Sequence, residues 1–237
     1  MNGIMATCVY CLASVAKTKI TDDHVIAKSW YPEHTPANLE RWKVPCCSRC
    51  NAEFGRVEED ILVLIAHCLD PRDPKSAHIV AKARRSIDPE CGVDEPDRAA
   101  RKRRRVWFLR HCYRLDALPD HGVLPSFEKS FAMGSRLGIR MNGPKLNAVV
   151  SKWTRGIHFW HCSRLIRNAD SIQIFHVKDA VADTAFEKIK NAAEYLNRGE
   201  GIQIMRAEGR DDSGAMTLYA FNIWNQFKTY SAVEENH

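Results

Sequence analysis

Apolar residues recur at three- and four-residue steps in two long stretches of the chain. Phe54, Val57, Ile61, Leu64, Ile65 and Cys68 form the first stripe and predict a helix that follows Asn51 and stops before Pro71 and Pro74. Leu146, Val149, Val150, Trp153, Ile157 and Trp160 form the second, a helix with Pro144 in its first turn that runs to about Cys162. On it Trp153, Phe159 and Trp160 read as core, and His158, His161 and Cys162 as ordinary core and surface residues. Alternation marks strands instead. SIQIFHV (171–177) alternates, and GIQIMRAEG with AMTLYAFNIW predicts a hairpin turning around Asp211, Asp212 and Gly214. A helix over 181–196 is expected between them, with shorter helices over 75–87 and from about Asp97. Residues 119–144, rich in Gly and Pro, read as loops with short strands.

Ahead of residue 51 the pattern is weaker. Residues 1–7 read as a loose tail, and 12–20 as a short strand or irregular lead-in. Val25 and Ile26 read as the second half of a hairpin with His24 near its start, and Pro32, Pro36 and Pro45 argue for an extended loop over 31–45. Cysteine spacing organises this part. Cys8-x-x-Cys11 and Cys47-x-x-Cys50 each offer two thiolates at fixed geometry, and a closed tetrahedral zinc site takes four. Cys46 adjoins Cys47 and competes as a ligand; Cys47 is preferred because its spacing to Cys50 repeats that of the first pair.

Composition narrows the setting. No run of eighteen apolar residues exists to span a membrane, and the start, MNGIMATC, lacks the basic and apolar regions of a signal peptide. A cytoplasmic protein is expected. Thiols there stay reduced, so nine cysteines read as four metal ligands and five free thiols. The formal charge of +6 is a mild bias toward polyanions. It is concentrated at Arg101, Lys102, Arg103, Arg104 and Arg105, a run that either follows the phosphates of a nucleic acid or is a solvated helix face. Glu53, Glu58 and Glu59 read as solvated carboxylates on the first long helix.

The two cysteine pairs, the Asp23-His24 pair between them, Asn38 in the following loop and the Cys50-Asn51 junction resemble an HNH nuclease of the zinc-bound kind. The resemblance covers about the first quarter of the chain. It implies a ββα-metal, treble-clef-like zinc module over 1–70; the residue pattern adds a helical basic region over 71–143 and a C-terminal α+β unit over 144–237, an α+β protein as a whole. It implies a structural zinc on Cys8, Cys11, Cys47 and Cys50, and a catalytic Mg²⁺ or Mn²⁺ on Asp23 and Asn51. His24 would be the general base, and Asn38 would brace its loop. Neighbours on a regular strand face opposite ways, so an irregular strand is implied at Asp23 and His24. Phe54 stands where the family commonly has a basic residue. The implied reaction is metal-dependent hydrolysis of DNA to a 5′-phosphate and a 3′-hydroxyl; a module this small reaches one strand at a time, so a homodimer is expected if both strands are cut. Two other readings stay open: a non-catalytic zinc module that binds nucleic acid or protein, and a nuclease for RNA or for branched or modified DNA.

Overall fold

The computed structural model describes residues 5–114, 137–167, 171–176, 184, 187–211 and 214–235. Met5–Thr7 (β1) and Ser14–Ala16 (β2) pair antiparallel, so the expected tail is a strand from Met5 onward. Their turn carries Cys8 and Cys11. Leu12 closes it, with its N–H on the Cys8 carbonyl at 2.9 Å and a left-handed φ of 61°.

Ile20–His24 (β3) pairs with Lys43–Cys47 (β4). This corrects the expected hairpin, because His24 ends β3, and Val25 and Ile26 belong to the loop that follows. The expected loop over 31–45 is likewise cut short by β4, which contains Pro45. A two-stranded ribbon leaves each strand an open edge, where the missing N–H of a proline is tolerated.

Ser48–Ala66 (α1) follows β4 directly and buries Ile61, Leu64 and Ile65 of its predicted stripe. Ala77–Ser86 (α2) is next, within the predicted span. Glu95–Leu109 (α3) begins before the expected Asp97, because the Asp94 carboxylate accepts from the Asp97 N–H at 2.8 Å and caps the helix there. Cys112–Arg114 (β5) pairs with Leu137–Ile139 (β6), and the remainder of the 119–144 expectation up to residue 136 lies outside the described residues. Gly143–Cys162 (α4) has Pro144 in its first turn and the Asn142 side chain as its cap.

Ser171–Phe175 (β7), Glu194–Tyr195 (β8), Ile202–Asp211 (β9), Gly214–Ile223 (β10) and Phe227–Glu235 (β11) form one antiparallel sheet in the order β7-β11-β10-β9-β8. Asp211 pairs with Gly214, as the predicted hairpin requires. The helix expected over 181–196 is helical at 187–190 but gives way to β8; residues 177–183 and 185–186 lie outside the described residues.

One apolar cluster reaches from Cys8 through α1 and α4 to Val233 on β11. Trp30, on the loop between β3 and β4, stacks on Trp224 at 5.4 Å and meets Trp153 edge-on at 4.9 Å. Such pairs add roughly 0.5–1.5 kcal/mol each beyond the area they bury. Trp224 also donates its indole N–H to the Trp30 carbonyl at 2.9 Å, which ties this loop to the β10–β11 turn. α4 passes close beneath the end of β3: a Cβ on Gly156 would lie 2.6 Å from Val25. The fold is mixed α+β, and among the described residues no helix is long and apolar enough to cross a membrane.

Candidate functional site

The sulfurs of Cys8, Cys11, Cys47 and Cys50 all lie within 4.8 Å of one another. Cys11 and Cys47 are 3.8 Å apart. A tetrahedral zinc with bonds of about 2.3 Å holds its sulfurs about 3.8 Å apart. Thiol chemistry and spacing therefore fit a metal ion such as zinc. Cys46 is outside this group: fully buried, it donates to the Cys47 carbonyl at 3.3 Å, and burial first, then its thiol neighbours and Asp23, push its pKa up. At Cys8 burial opposes ionisation, but the N–H groups of Cys11, Cys47 and Tyr10 and the Cys11 thiol outweigh it and bring the pKa to about 7. Cys8 and Cys11 come from the β1–β2 turn, Cys47 from the end of β4 and Cys50 from the first turn of α1. The Val9 N–H on the Pro45 carbonyl, at 3.0 Å, docks that turn against β4.

β3 pairs regularly at Asp23 and His24, and their side chains meet different neighbours. Asp23 Oδ2 accepts from the Tyr10 hydroxyl at 2.8 Å and lies 3.0 Å from Lys152 Nζ. Lys152, on α4, has no exposed side-chain surface; it also donates to Glu58 Oε2 and to the His24 carbonyl, both at 2.8 Å. Trp153 Nε1 donates to the other Glu58 oxygen at 3.3 Å. Glu58, expected among solvated carboxylates, is thus buried, and burial pushes its pKa up against the pull of Lys152. Asn51, in the first turn of α1, donates to Thr21 Oγ1 at 3.2 Å.

Asp23 Oδ2 is held by an ammonium and a phenol, whereas Asn51 bonds Thr21 through Nδ2, which leaves its Oδ1, the atom a cation would take, outside that bond. Among the described residues the four-cysteine group is the only one of three or more His, Cys, Asp or Glu placed to hold an ion.

His24 instead faces a cavity of about 280 Å³ lined by Lys28, Leu39, Glu40, Arg41, Lys43 and Trp160, with Ala37. Burial first, then the charges of Lys28 and Lys43, and finally Arg41, lower the His24 pKa, with Asp23 opposing. The imidazole is therefore neutral around pH 7 and able to take a proton. Asn38 is exposed on the loop, between the two lining residues Ala37 and Leu39.

The basic run lies on α3. Arg101 bonds Asp97 at 3.0 Å and the Arg85 carbonyl, and Arg104 pairs with Glu59 at 2.6 Å. Lys102, Arg103 and Arg105 are exposed.

Sequence reasoning passed over Lys28, Arg41, Lys43 and Lys152, and read as core Trp160, which is 38% exposed. Lys152 falls beside the stripe of Val149, Val150 and Trp153, so its spacing gave no sign of its buried partners. No protein-family model, curated protein or solved structure matches the chain.

Proposed function

We propose that this chain hydrolyses phosphodiester bonds in DNA, as an HNH-type nuclease whose ββα-metal module is stapled by zinc on Cys8, Cys11, Cys47 and Cys50. The observation that carries the reading is the His24 imidazole in a cavity walled by Lys28, Arg41 and Lys43. His24 takes a proton from water as the oxygen attacks phosphorus. The three cations offset the charge that builds on the phosphoryl oxygens. The P–O3′ bond breaks, the departing 3′-oxygen takes a proton from solvent, and the products are a 5′-phosphate and a 3′-hydroxyl. Lys152, bonded to the His24 carbonyl, fixes the strand end that presents the base. The bound zinc would anchor β4 and α1 and takes no part in the reaction.

The commitment of Asp23 to Lys152 favours a second reading, a non-catalytic zinc module that binds nucleic acid through the same cavity. Labelled single-stranded and duplex DNA and RNA oligonucleotides separate the two, with and without added Mg²⁺ or Mn²⁺. DNA should be cut to 5′-phosphate ends, and folded, zinc-loaded His24→Ala should be roughly 10²–10⁴-fold slower. Equal rates in both proteins contradict the assignment of the base. Tight binding without cleavage establishes the second reading, and cleavage confined to RNA corrects the substrate.

A further inference from the structure

Trp160 continues the stripe that buries Leu146, Val149, Val150, Trp153 and Ile157, yet it is 38% exposed. The helix has run past the core at this point, and the indole lines the cavity that His24 faces. It is not loose there. The Arg198 guanidinium sits 4.8 Å over the ring, and Arg198 is in turn held by the Glu40 carbonyl at 3.0 Å and the Glu40 carboxylate at 2.9 Å. The end of α4, the β3–β4 loop and the segment before β9 thus fix one aromatic surface inside a polar cavity.

The other walls are cationic. Among the described residues neither Lys28 nor Lys43 has a carboxylate partner. Arg41 lies over the Tyr31 ring, and its buried Nε–H has no acceptor among the described residues. Glu40 is the one acid in the lining, and Arg198 answers it. A flat aromatic surface beside unpaired cations is the chemistry that binds a nucleobase with its phosphate. At about 280 Å³ the cavity lies just below the roughly 300–1,000 Å³ typical of ligand pockets, a size for one small unit.

We propose that this cavity binds one unpaired nucleotide of a single-stranded segment, with its base on Trp160 and its phosphate between Lys28, Arg41 and Lys43. The substrate class follows: single strands, or duplexes with a frayed or flipped-out base, since a stacked base does not reach the indole. The inference rests on the nucleic-acid reading above but not on turnover.

Fluorescence anisotropy of a labelled single strand, titrated with zinc-loaded protein and no added divalent cation, tests it. The comparisons are an abasic strand and a duplex of the same length, with Trp160→Ala and Trp160→Tyr as variants whose circular dichroism matches wild type. Wild type should prefer the single strand to both. Trp160→Ala should weaken single-strand binding roughly ten- to a hundredfold, and Trp160→Tyr should keep most of it. Abasic and intact strands should then bind Trp160→Ala alike. The proposal is overturned if Trp160→Ala binds as wild type does, or if wild type holds the abasic strand or the duplex as tightly as the single strand. Trp160-dependent binding without cleavage would sustain it while removing the nuclease reading. His24-dependent cleavage with no Trp160-dependent binding would do the reverse.

Discussion

Lys152 is the residue on which the buried charge pairing beneath β3 depends. Its ammonium joins Asp23 on β3, Glu58 on α1 and the His24 carbonyl, so three elements share one charge. Replacing it by methionine keeps the volume and strands two carboxylates, one of them only 2% exposed. We expect Lys152→Met to lose about 3–5 kcal/mol of unfolding free energy in urea, and Lys152→Met with Glu58→Gln to recover part of that. A loss below about 1 kcal/mol would mean that water already serves these groups. None of this could be read from spacing. The pairing joins residues 23, 58 and 152, and a lysine names no partner across such separations. Asp23 shows the limit from the other side. Its place before His24 suggested a metal ligand, but the regular pairing of β3 turns it toward Lys152.

Among the elements, the four-cysteine group would be the local organiser once it holds a metal. β1, β2, β3 and β4 are three to five residues long and form two-stranded ribbons, which are marginal without help. Zinc on four thiols would supply what such short strands lack. Purified protein should carry one zinc per chain, retained by Cys46→Ala and lost by Cys50→Ser. Amide hydrogen exchange should then quicken in β1–β4 on chelation, while α4 and the five-stranded sheet stay protected. Loss of the metal in Cys46→Ala, or its retention in Cys50→Ser, would contradict the ligand set. Here the sequence was informative because the signal is short-range: the spacing of each pair and the periodicity of α1 and α4 are properties of adjacent turns. β11 escaped notice because the turn before it is Trp224, Asn225 and Gln226, without glycine or proline. The left-handed φ values of 53° and 57° at Trp224 and Asn225 are stabilised by tertiary packing, with Trp224 fully buried against Trp30.

For the molecule as a whole, the proposed function would depend on segments far apart in the chain that meet around His24. The β3–β4 loop gives Lys28 and Arg41, β4 gives Lys43, and the end of α4 gives Trp160, braced by Arg198 from before β9. In the proposed function the overall charge of +6 would assist approach to a polyanion, while Lys28, Arg41 and Lys43 would act on the phosphate itself. If His24 is the base, its neutral form is the active one. Burial and the charges of Lys28, Lys43 and Arg41 lower its pKa against Asp23, so cleavage rises with pH as the imidazolium gives up its proton, and it levels off at lower pH than for a free histidine.

The pH dependence of kcat/KM for DNA cleavage, which reports the free protein, followed from about pH 5 to 8, is the most direct test of this account. It predicts an acid limb whose midpoint lies below the ordinary histidine value of 6.5, moves upward in Lys43→Gln, and disappears with the activity in His24→Ala. A midpoint at or above 6.5, or the same profile and rate in His24→Ala, would contradict it.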